Sequence, residues 1–473
     1  MAQTARVKVV EAIIEKTSAT KIINKLVDIR VSPNSYFVAV FVVSFLTAFL
    51  VYLERDWSAL SLFLVSWLTI PFLAWKDRIV FDGKHIFRTG FLPNLWSTFN
   101  GKPRRLKISQ IEQIETQALR ALKRGGNVFY RYRTSINGKG VRFAFASGGE
   151  DYRQMVSRLF NLVSDDVLDN RSIELRDYLK ERKETLMKAE FARIPSMEVL
   201  EDSINEFTTP ERGLRSRRID DFVGDDEVEK ADYLRQLANE LRMCGNLLQA
   251  LETFRRALLL NPKDAWLLFE YARCLHSYAG LERSPKLLRK ANGVLRLAEY
   301  RAKDDAELLA RIGETYFQYG NWKRAGKTFY KTISIAENNF RSLRGLAEIA
   351  LREGKIAHVI HQFSSLSYFT KNKALKRWAN GENEYFSRLN SDEIYMEAEL
   401  TRINWLESIE RKKGSVLRLS LVTLVIVFFG VLFNETVALV GWTAAFISMT
   451  LWIGLVLSQG LLSERCPIDE FED

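Results

Sequence analysis

Between Tyr36 and Leu53 eighteen consecutive residues carry no charge, and after Glu54, Arg55 and Asp56 nineteen more run from Trp57 to Trp75. Runs of this kind have to be helices in lipid, where a backbone donor or acceptor finds no water and must be satisfied within its own segment. At about 1.5 Å per residue each run reaches roughly 27 Å, close to the hydrocarbon thickness of a bilayer. The pattern returns near the other end, from Leu419 to Phe433 and from Thr436 to Leu462, interrupted by Asn434 and Glu435. The reading is two transmembrane helical hairpins, at 36–75 (36–53 and 57–75) and 416–462 (416–433 and 436–462). The competing reading, buried helices of a large soluble core, fits poorly because such helices rarely come as hairpins at both ends of a chain.

Lysine and arginine near the span ends set the expected orientation. Arg6, Lys8, Lys16, Lys21, Lys25 and Arg30 precede the first span, Lys76, Arg78 and Lys84 follow the second, and Arg411, Lys412, Lys413 and Arg418 precede the third. The positive-inside bias therefore places both termini and the long middle in the cytoplasm. The first apolar run is too long and begins too late for a cleavable signal. Asn434-Glu435-Thr436 matches a glycosylation acceptor, but in a turn held against the membrane. Three scattered cysteines, Cys244, Cys274 and Cys466, make neither a disulfide framework nor a Cys-rich zinc site and suit a reducing compartment. Residues 1–35 carry apolar pairs such as Val9-Val10, Ile13-Ile14, Ile22-Ile23 and Leu26-Val27 among lysines, which predicts an amphipathic segment for a membrane face or a packing partner.

After the first hairpin the period shortens toward two. Val80-Phe81, the turn Asp82-Gly83 and Lys84 to Phe91 read as a strand hairpin, with further strands over Leu106 to Thr116, Val128 to Ile136 and Val141 to Ala146. From Glu150 to Val163 the period becomes helical, through Tyr152, Met155, Val156, Leu159 and Phe160. This order, a curled antiparallel sheet and a closing helix behind a membrane hairpin, resembles the bacterial pleckstrin-homology-like domains over residues 78–165. Residues 76–165 hold 17 Lys and Arg against 7 Asp and Glu, so nearly all of the chain's formal +11 is local to this domain. Lys102, Arg104, Arg105 and Lys107, with Arg131 and Arg133 on the predicted strands, are the candidate contacts for anionic lipid headgroups or an acidic partner. The plainer reading is a solvated basic face. Nucleic acid is not expected, since no reading helix, finger or single-strand platform accompanies the charge.

Residues 166–229 read as a helical and charged connector in which Arg212, Arg215, Arg217 and Arg218 run into Asp220, Asp221, Asp225 and Asp226, with mobility expected over 203–228. A 34-residue repeat follows. Its first copy runs Leu234, Leu237, Ala238, Leu241, Gly245, Ala250, Phe254, Ala257 and Asn261-Pro262. The third begins near Ala306 with Leu309, Ile312, Gly313, Tyr316, Gly320, Ala325 and Phe329, and the fourth near Phe340 with Leu343, Leu346, Ala347, Gly354 and Phe363. The second finishes late, at Ala291, Leu295 and Ala298, which predicts an insertion near 276–285. Residues 231–373 thus resemble the tetratricopeptide-repeat family, with capping helices over 374–413 and an acidic tail at 463–473. The expected fold class is a multi-domain membrane protein with two helical hairpins, a small antiparallel β domain and an all-α solenoid.

The tetratricopeptide resemblance implies a curved solenoid that binds a peptide or protein on its concave face. The first-helix positions lining that face include Arg235, Asn239 and Arg242, then Trp266, Phe269 and Arg273, then Arg344, a set rich in the arginine and aromatic side chains that concentrate interface energy. Trp266 and Phe269 can equally be packed inside. No phosphate loop, dinucleotide fingerprint or catalytic motif is present, so no cofactor and no enzymatic activity are expected. His358 and His361 lack a third ligand nearby, and no metal is expected at them. Together these features predict a scaffold or adaptor of the inner (plasma) membrane that assembles or stabilises a complex. Its expected partner is an integral or peripheral membrane protein, while anionic lipid and a second copy of the chain stay open. A lipid-binding or lipid-sensing module acting through the basic domain is the alternative.

Overall fold

The computed structural model describes residues 26–31, 34–99, 103–124, 127–147, 149–202, 225–433 and 435–466. The amphipathic reading over 1–25, Lys102, Asn434 of the acceptor match, residues 203–224 of the charged connector and the tail from 467 lie outside them. The described residues divide into two compact units. One comprises 26–36, 69–353 and 362–379, the other 37–68, 354–361 and 380–466.

The chain begins with β1 (Val27–Arg30), passes through α1 (Asn34–Tyr52) and α2 (Asp56–Lys76), and continues into β2 (Arg78–Phe81) and β3 (His85–Arg88). Helix α3 (Phe91–Phe99) separates β3 from β4 (Arg105–Lys107). Then come β5 (Gln113–Arg124), β6 (Asn127–Gly138), β7 (Val141–Ala146) and α4 (Glu150–Phe160). The strands form two antiparallel sheets, β1-β2-β3-β4 and β5-β6-β7. Neither is closed, so the single curled sheet expected from the pleckstrin-homology-like resemblance is not what forms.

Val27 and Asp28, expected on the amphipathic segment, are instead in β1, paired with Phe81 and Val80. The first sheet is therefore interrupted in sequence by the whole α1–α2 hairpin. Val27, Ile29, Ile79, Phe81, Ile86 and Leu106 are all buried on its inner face. Met155, Val156, Leu159 and Phe160 of α4 complete this core, as the 3.6-residue spacing requires. The strand expected to run through Phe91 stops at Arg88, and Phe91 opens α3 instead.

Beyond α4 lie α5 (Asn170–Tyr178), α6 (Arg182–Phe191) and α7 (Met197–Asp202). The repeats follow as α8 (Asp225–Met243), α9 (Leu247–Leu260), α10 (Ala265–Leu281), α11 (Pro285–Arg301), α12 (Ala306–Gln318), α13 (Trp322–Ile335) and α14 (Phe340–Arg352). Consecutive helices pair as hairpins and each hairpin stacks on the next. Asp264, Ser284, Asp305, Asn321 and Asn339 cap successive helices by accepting from backbone N–H groups of the first turn. Phe254 and Phe329 are fully buried between neighbours, beside Ala238, Ala257 and Ala325. The irregular second repeat is a longer helix pair: α10 and α11 have 17 residues each, against 13 and 14 in α12 and α13.

Helices α15 (Ile356–Phe369), α16 (Lys373–Ser391), α17 (Glu393–Phe433) and α18 (Glu435–Leu462) end the described chain. In the second unit α17 runs unbroken for 41 residues, about 60 Å, so the second capping helix and the third expected span are one element. It forms a hairpin with α18, and Trp442 of α18 packs on Phe45, Phe49 and Tyr52 of α1 at centroid distances of 5.9, 6.0 and 5.5 Å. Glu399 is fully buried, held by Arg402, the Tyr385 hydroxyl and the Cys466 backbone N–H. Among the described residues three helices, α2, α17 and α18, are long and apolar enough to cross a membrane. Helix α1 is itself an uncharged helix of 19 residues, with the apolar stretch Ala39–Tyr52 among its described residues.

Candidate functional site

The inner face of the helix stack is built from α8, α10, α12 and α14, and it is occupied by α5. This helix starts where Asp169 accepts from the backbone N–H of Ser172 (2.8 Å), a short-range cap that fixes its direction. On one side it is tied to the second sheet. Asp169 N–H donates to Ile114 O (3.1 Å), and the hydroxyls of Ser172, Thr116, Thr134 and Tyr152 form a buried chain with spacings of 2.8, 3.1 and 2.8 Å.

On its other side α5 meets the stack through polar contacts along its length. Asn170 donates to Glu314 Oε1 and, through its side chain, to Arg311 O (3.3 and 3.2 Å). Arg341 donates to Glu314 Oε2 and to the carbonyls of Asp165 and Leu168 (2.9, 2.8 and 2.9 Å). The Tyr178 hydroxyl donates to Glu270 (3.3 Å). At the centre Glu174 lies between Arg242 (2.7 Å) and Arg273, all three about 5% exposed or less. Burial pushes the Glu174 carboxyl up, but the two guanidinium groups outweigh it and hold the group below the ordinary carboxylate range. The sheet tip adds a second tie, with the Tyr132 hydroxyl donating to Met243 O (2.8 Å) and Arg120 to Gly280 O (3.0 Å).

The residues singled out as partner contacts are therefore largely engaged within the chain. Arg242 and Arg273 grip Glu174, and Phe269 is buried under Arg273. Arg235 and Asn239 both donate to Glu270 Oε2 (2.9 and 2.8 Å). Trp266 is half-buried, its indole N–H donating to Asp305 (2.8 Å) and Arg311 lying over its ring. Arg344 pairs with Glu348 (3.1 Å) and lies over Trp378. Among the described residues, openings lie on either side of the contacts that α5 makes. One of about 300 Å³ is lined by Tyr178, Arg235, Trp266, Phe269, Glu270 and Arg311. Another, of about 160 Å³, is lined by Asp169, Glu314, Phe317, Phe340, Arg341 and Arg344.

The basic residues do not converge on one spot. Arg104, Arg105 and Lys107 are exposed at the β4 edge, where Arg104 donates to Thr98 and Arg105 lies over Phe87. Arg131 and Arg133 project from the outward face of β6 in the other sheet. The sequence reading missed α5 as the occupant of the inner face. Its only local signal is the Asp169-x-x-Ser172 cap, since nothing short-range distinguishes Glu174 from the other acidic residues of this charged stretch.

Burial moves two titratable groups of this stack away from their ordinary ranges. Burial pushes the Cys274 thiol up to about 12, and His276, stacked on Tyr319 at 3.5 Å, is pulled down to about 4 by burial and by Arg273 and Arg120. Among the described residues no group of three or more His, Cys, Asp and Glu is placed to hold a metal.

At the smaller opening, burial and the neighbouring Glu314 push Asp169 up to about 6. A folded value above the unfolded one means that the folded state binds the proton more tightly. Its contribution to stability is full below about pH 4 and lost as pH rises through 6. Asp169→Asn is expected to remove up to about 3 kcal/mol of this pH dependence between pH 4 and 7, read as the wild-type-minus-variant difference in denaturant unfolding.

No protein-family model matches the chain, and no curated protein matches it. Solved structures similar to parts of it include a MamA protein, 13% identical over 35% of this chain and 96% of that one, with a TM-score of 0.25. TTC0263, a thermophilic TPR protein in Thermus thermophilus, is 18% identical over 43% of this chain and 98% of its own, with a TM-score of 0.27. The APC/C hetero-tetramer Cut9-Hcn1 is 12% identical over 66% and 69%, with a TM-score of 0.28.

Proposed function

We propose that the chain is a membrane-anchored, non-catalytic scaffold whose tetratricopeptide-like stack binds a protein partner and assembles or stabilises a membrane complex on the cytoplasmic side. The observation that carries this reading is the inner face itself. It holds a helix through a central Glu174 between two buried arginines, and it leaves an opening beside that helix with Trp266, Arg235 and Arg311 at its wall. Aromatic and arginine side chains around a recess suit a protein contact. Anchoring is supported by α2, α17 and α18, which expose Leu60, Leu64, Leu68, Val422, Val425, Phe428, Val440, Ile447 and Leu451 along apolar helices of spanning length. The stack then meets its partner at the raised local concentration that tethering provides.

The test is a photo-crosslinking residue at position 266 of the full chain in its native membrane. One predominant protein adduct is the expected result; a folded, membrane-inserted chain without any protein adduct overturns the reading. Trp266→Ala is expected to reduce the co-purified partner at least about tenfold, the scale of a single interface anchor, while the chain stays folded and inserted with a lowered thermal midpoint from the lost Asp305 bond and Arg311 contact.

A further inference from the structure

Helix α3 is nine residues long, and the helical period of about 100° per residue puts sequence positions 91, 92, 95, 96 and 99, all apolar, in one arc and positions 93, 94, 97 and 98 in the other. Pro93 lies in the first turn, where its missing N–H costs the helix nothing. Among the described elements none packs extensively against α3, and Phe91 is 58% exposed. Its start is fixed to the end of α2, one of the helices of spanning length. The Thr89 hydroxyl donates to Lys76 O (3.1 Å), and Arg88 grips the buried Asp77 carboxylate from 2.5 to 3.1 Å. Gly90 passes so close to Asp77 that a Cβ there would meet the carboxylate at 2.4 Å, so the chain turns into α3 right at the end of α2. That end carries the marks of a membrane–water boundary: Phe72 and Trp75 are exposed, and Lys76 lies over the Phe72 ring. Directly after α3 come the exposed cations Arg104, Arg105 and Lys107, and Arg104 donates to Thr98 on the polar side of α3.

We propose that α3 lies in the headgroup layer of the bilayer that α2 spans, its Phe91, Leu92, Leu95, Trp96 and Phe99 side toward the acyl chains, while Arg104, Arg105 and Lys107 bind anionic headgroups. An apolar helical face followed by cations is the chemistry of an interfacial helix, and each cation near an anionic surface adds about 1 kcal/mol. The proposal rests on the membrane anchoring of the proposed function. It makes the first sheet a platform clamped to the membrane at two points, the end of α2 and α3.

The test uses the full chain, with Cys244 and Cys466 replaced by serine, in vesicles of phosphatidylcholine with or without phosphatidylglycerol. A spin label is placed at Leu95→Cys or, separately, in mid-span at Phe63→Cys, and read with oxygen and with a water-soluble nickel chelate. The expected result is both labels in lipid, position 95 the shallower. Its nickel accessibility should rise about threefold or more when phosphatidylglycerol is omitted or when R104E, R105E and K107E are combined. A label at 63 in lipid with a label at 95 in water overturns this inference alone. A label at 95 shielded from both reagents overturns it in favour of a protein contact, and insensitivity to phosphatidylglycerol overturns the headgroup contact. A label at 63 in water overturns the anchoring reading itself.

Discussion

Replacing Glu174 with alanine should lower the stability of the unit that holds the helix stack by about 3–5 kcal/mol, the largest effect expected of any single substitution on α5. The cause is not the loss of the pair's attraction but the charge left behind. Arg242 and Arg273 are each 5% exposed and would share a dry site whose other nearby carboxylate, Glu270, is already held by Arg235 and Asn239. Glu174→Gln keeps the shape and one acceptor and should cost less, while still leaving both guanidinium groups uncompensated. Replacing all three groups together by Leu and two Met should fall within a few kcal/mol of the wild type, because apolar side chains of similar volume often substitute for a buried ionic cluster without loss. Chemical denaturation in detergent, followed by circular dichroism, reads all three. Equal stability of the wild type and Glu174→Ala would mean that the cluster is not closed to water.

A comparable loss is expected from Gly245→Ala, at a residue that looks like an ordinary turn between α8 and α9. Its φ of +87° is one that side chains avoid. A Cβ there would stand 1.8 Å from Val128 O, the residue whose N–H donates to Gly245 O (3.3 Å). Neither backbone can yield without parting β6 from the stack, so the substitution should cost more than about 2 kcal/mol through strain and lost pairing together. Gly320→Ala is the control: it has a similar φ of +78° with open space around it, and should cost only the conformational part. Thermal unfolding of the two variants side by side separates the effects, and equal losses would contradict the tight junction.

The repeats were legible because their specification is short-range. Small residues such as Ala238 and Ala347, large ones such as Phe254 and Phe329, and Asx caps recur within a 34-residue window, and a helix needs only its own three or four neighbours to form. The long second repeat was visible as a delay but not as its cause, one extra turn in each helix, because helical periodicity continues across a lengthened helix. Strand β1 was not legible. Four residues alternate too briefly to declare a strand, the register partner of Asp28 is Val80, and the ion pair of Asp28 is with Arg78, 50 positions away on the far side of a hairpin. Helix α3 was hidden by Pro93, which reads as a breaker unless the helix start is known. The occupancy of the inner face was beyond reach for a different reason. A family pattern says which positions of α8, α10 and α14 face inward, but the ligand for Arg242 and Arg273 is supplied by a glutamate about 70 and 100 residues earlier, and no local pattern announces such a pair.

The most direct test of the scaffold reading is the composition of the complex drawn intact from its native membrane. The tagged full chain, extracted in mild detergent and sized by light scattering with mass spectrometry of what accompanies it, should exceed its own 54.7 kDa by the mass of a stoichiometric protein partner. That partner should be lost from Trp266→Ala. A chain that emerges alone, or accompanied only by anionic lipid, would contradict the scaffold and leave the basic sheet domain and α3 as the functional part.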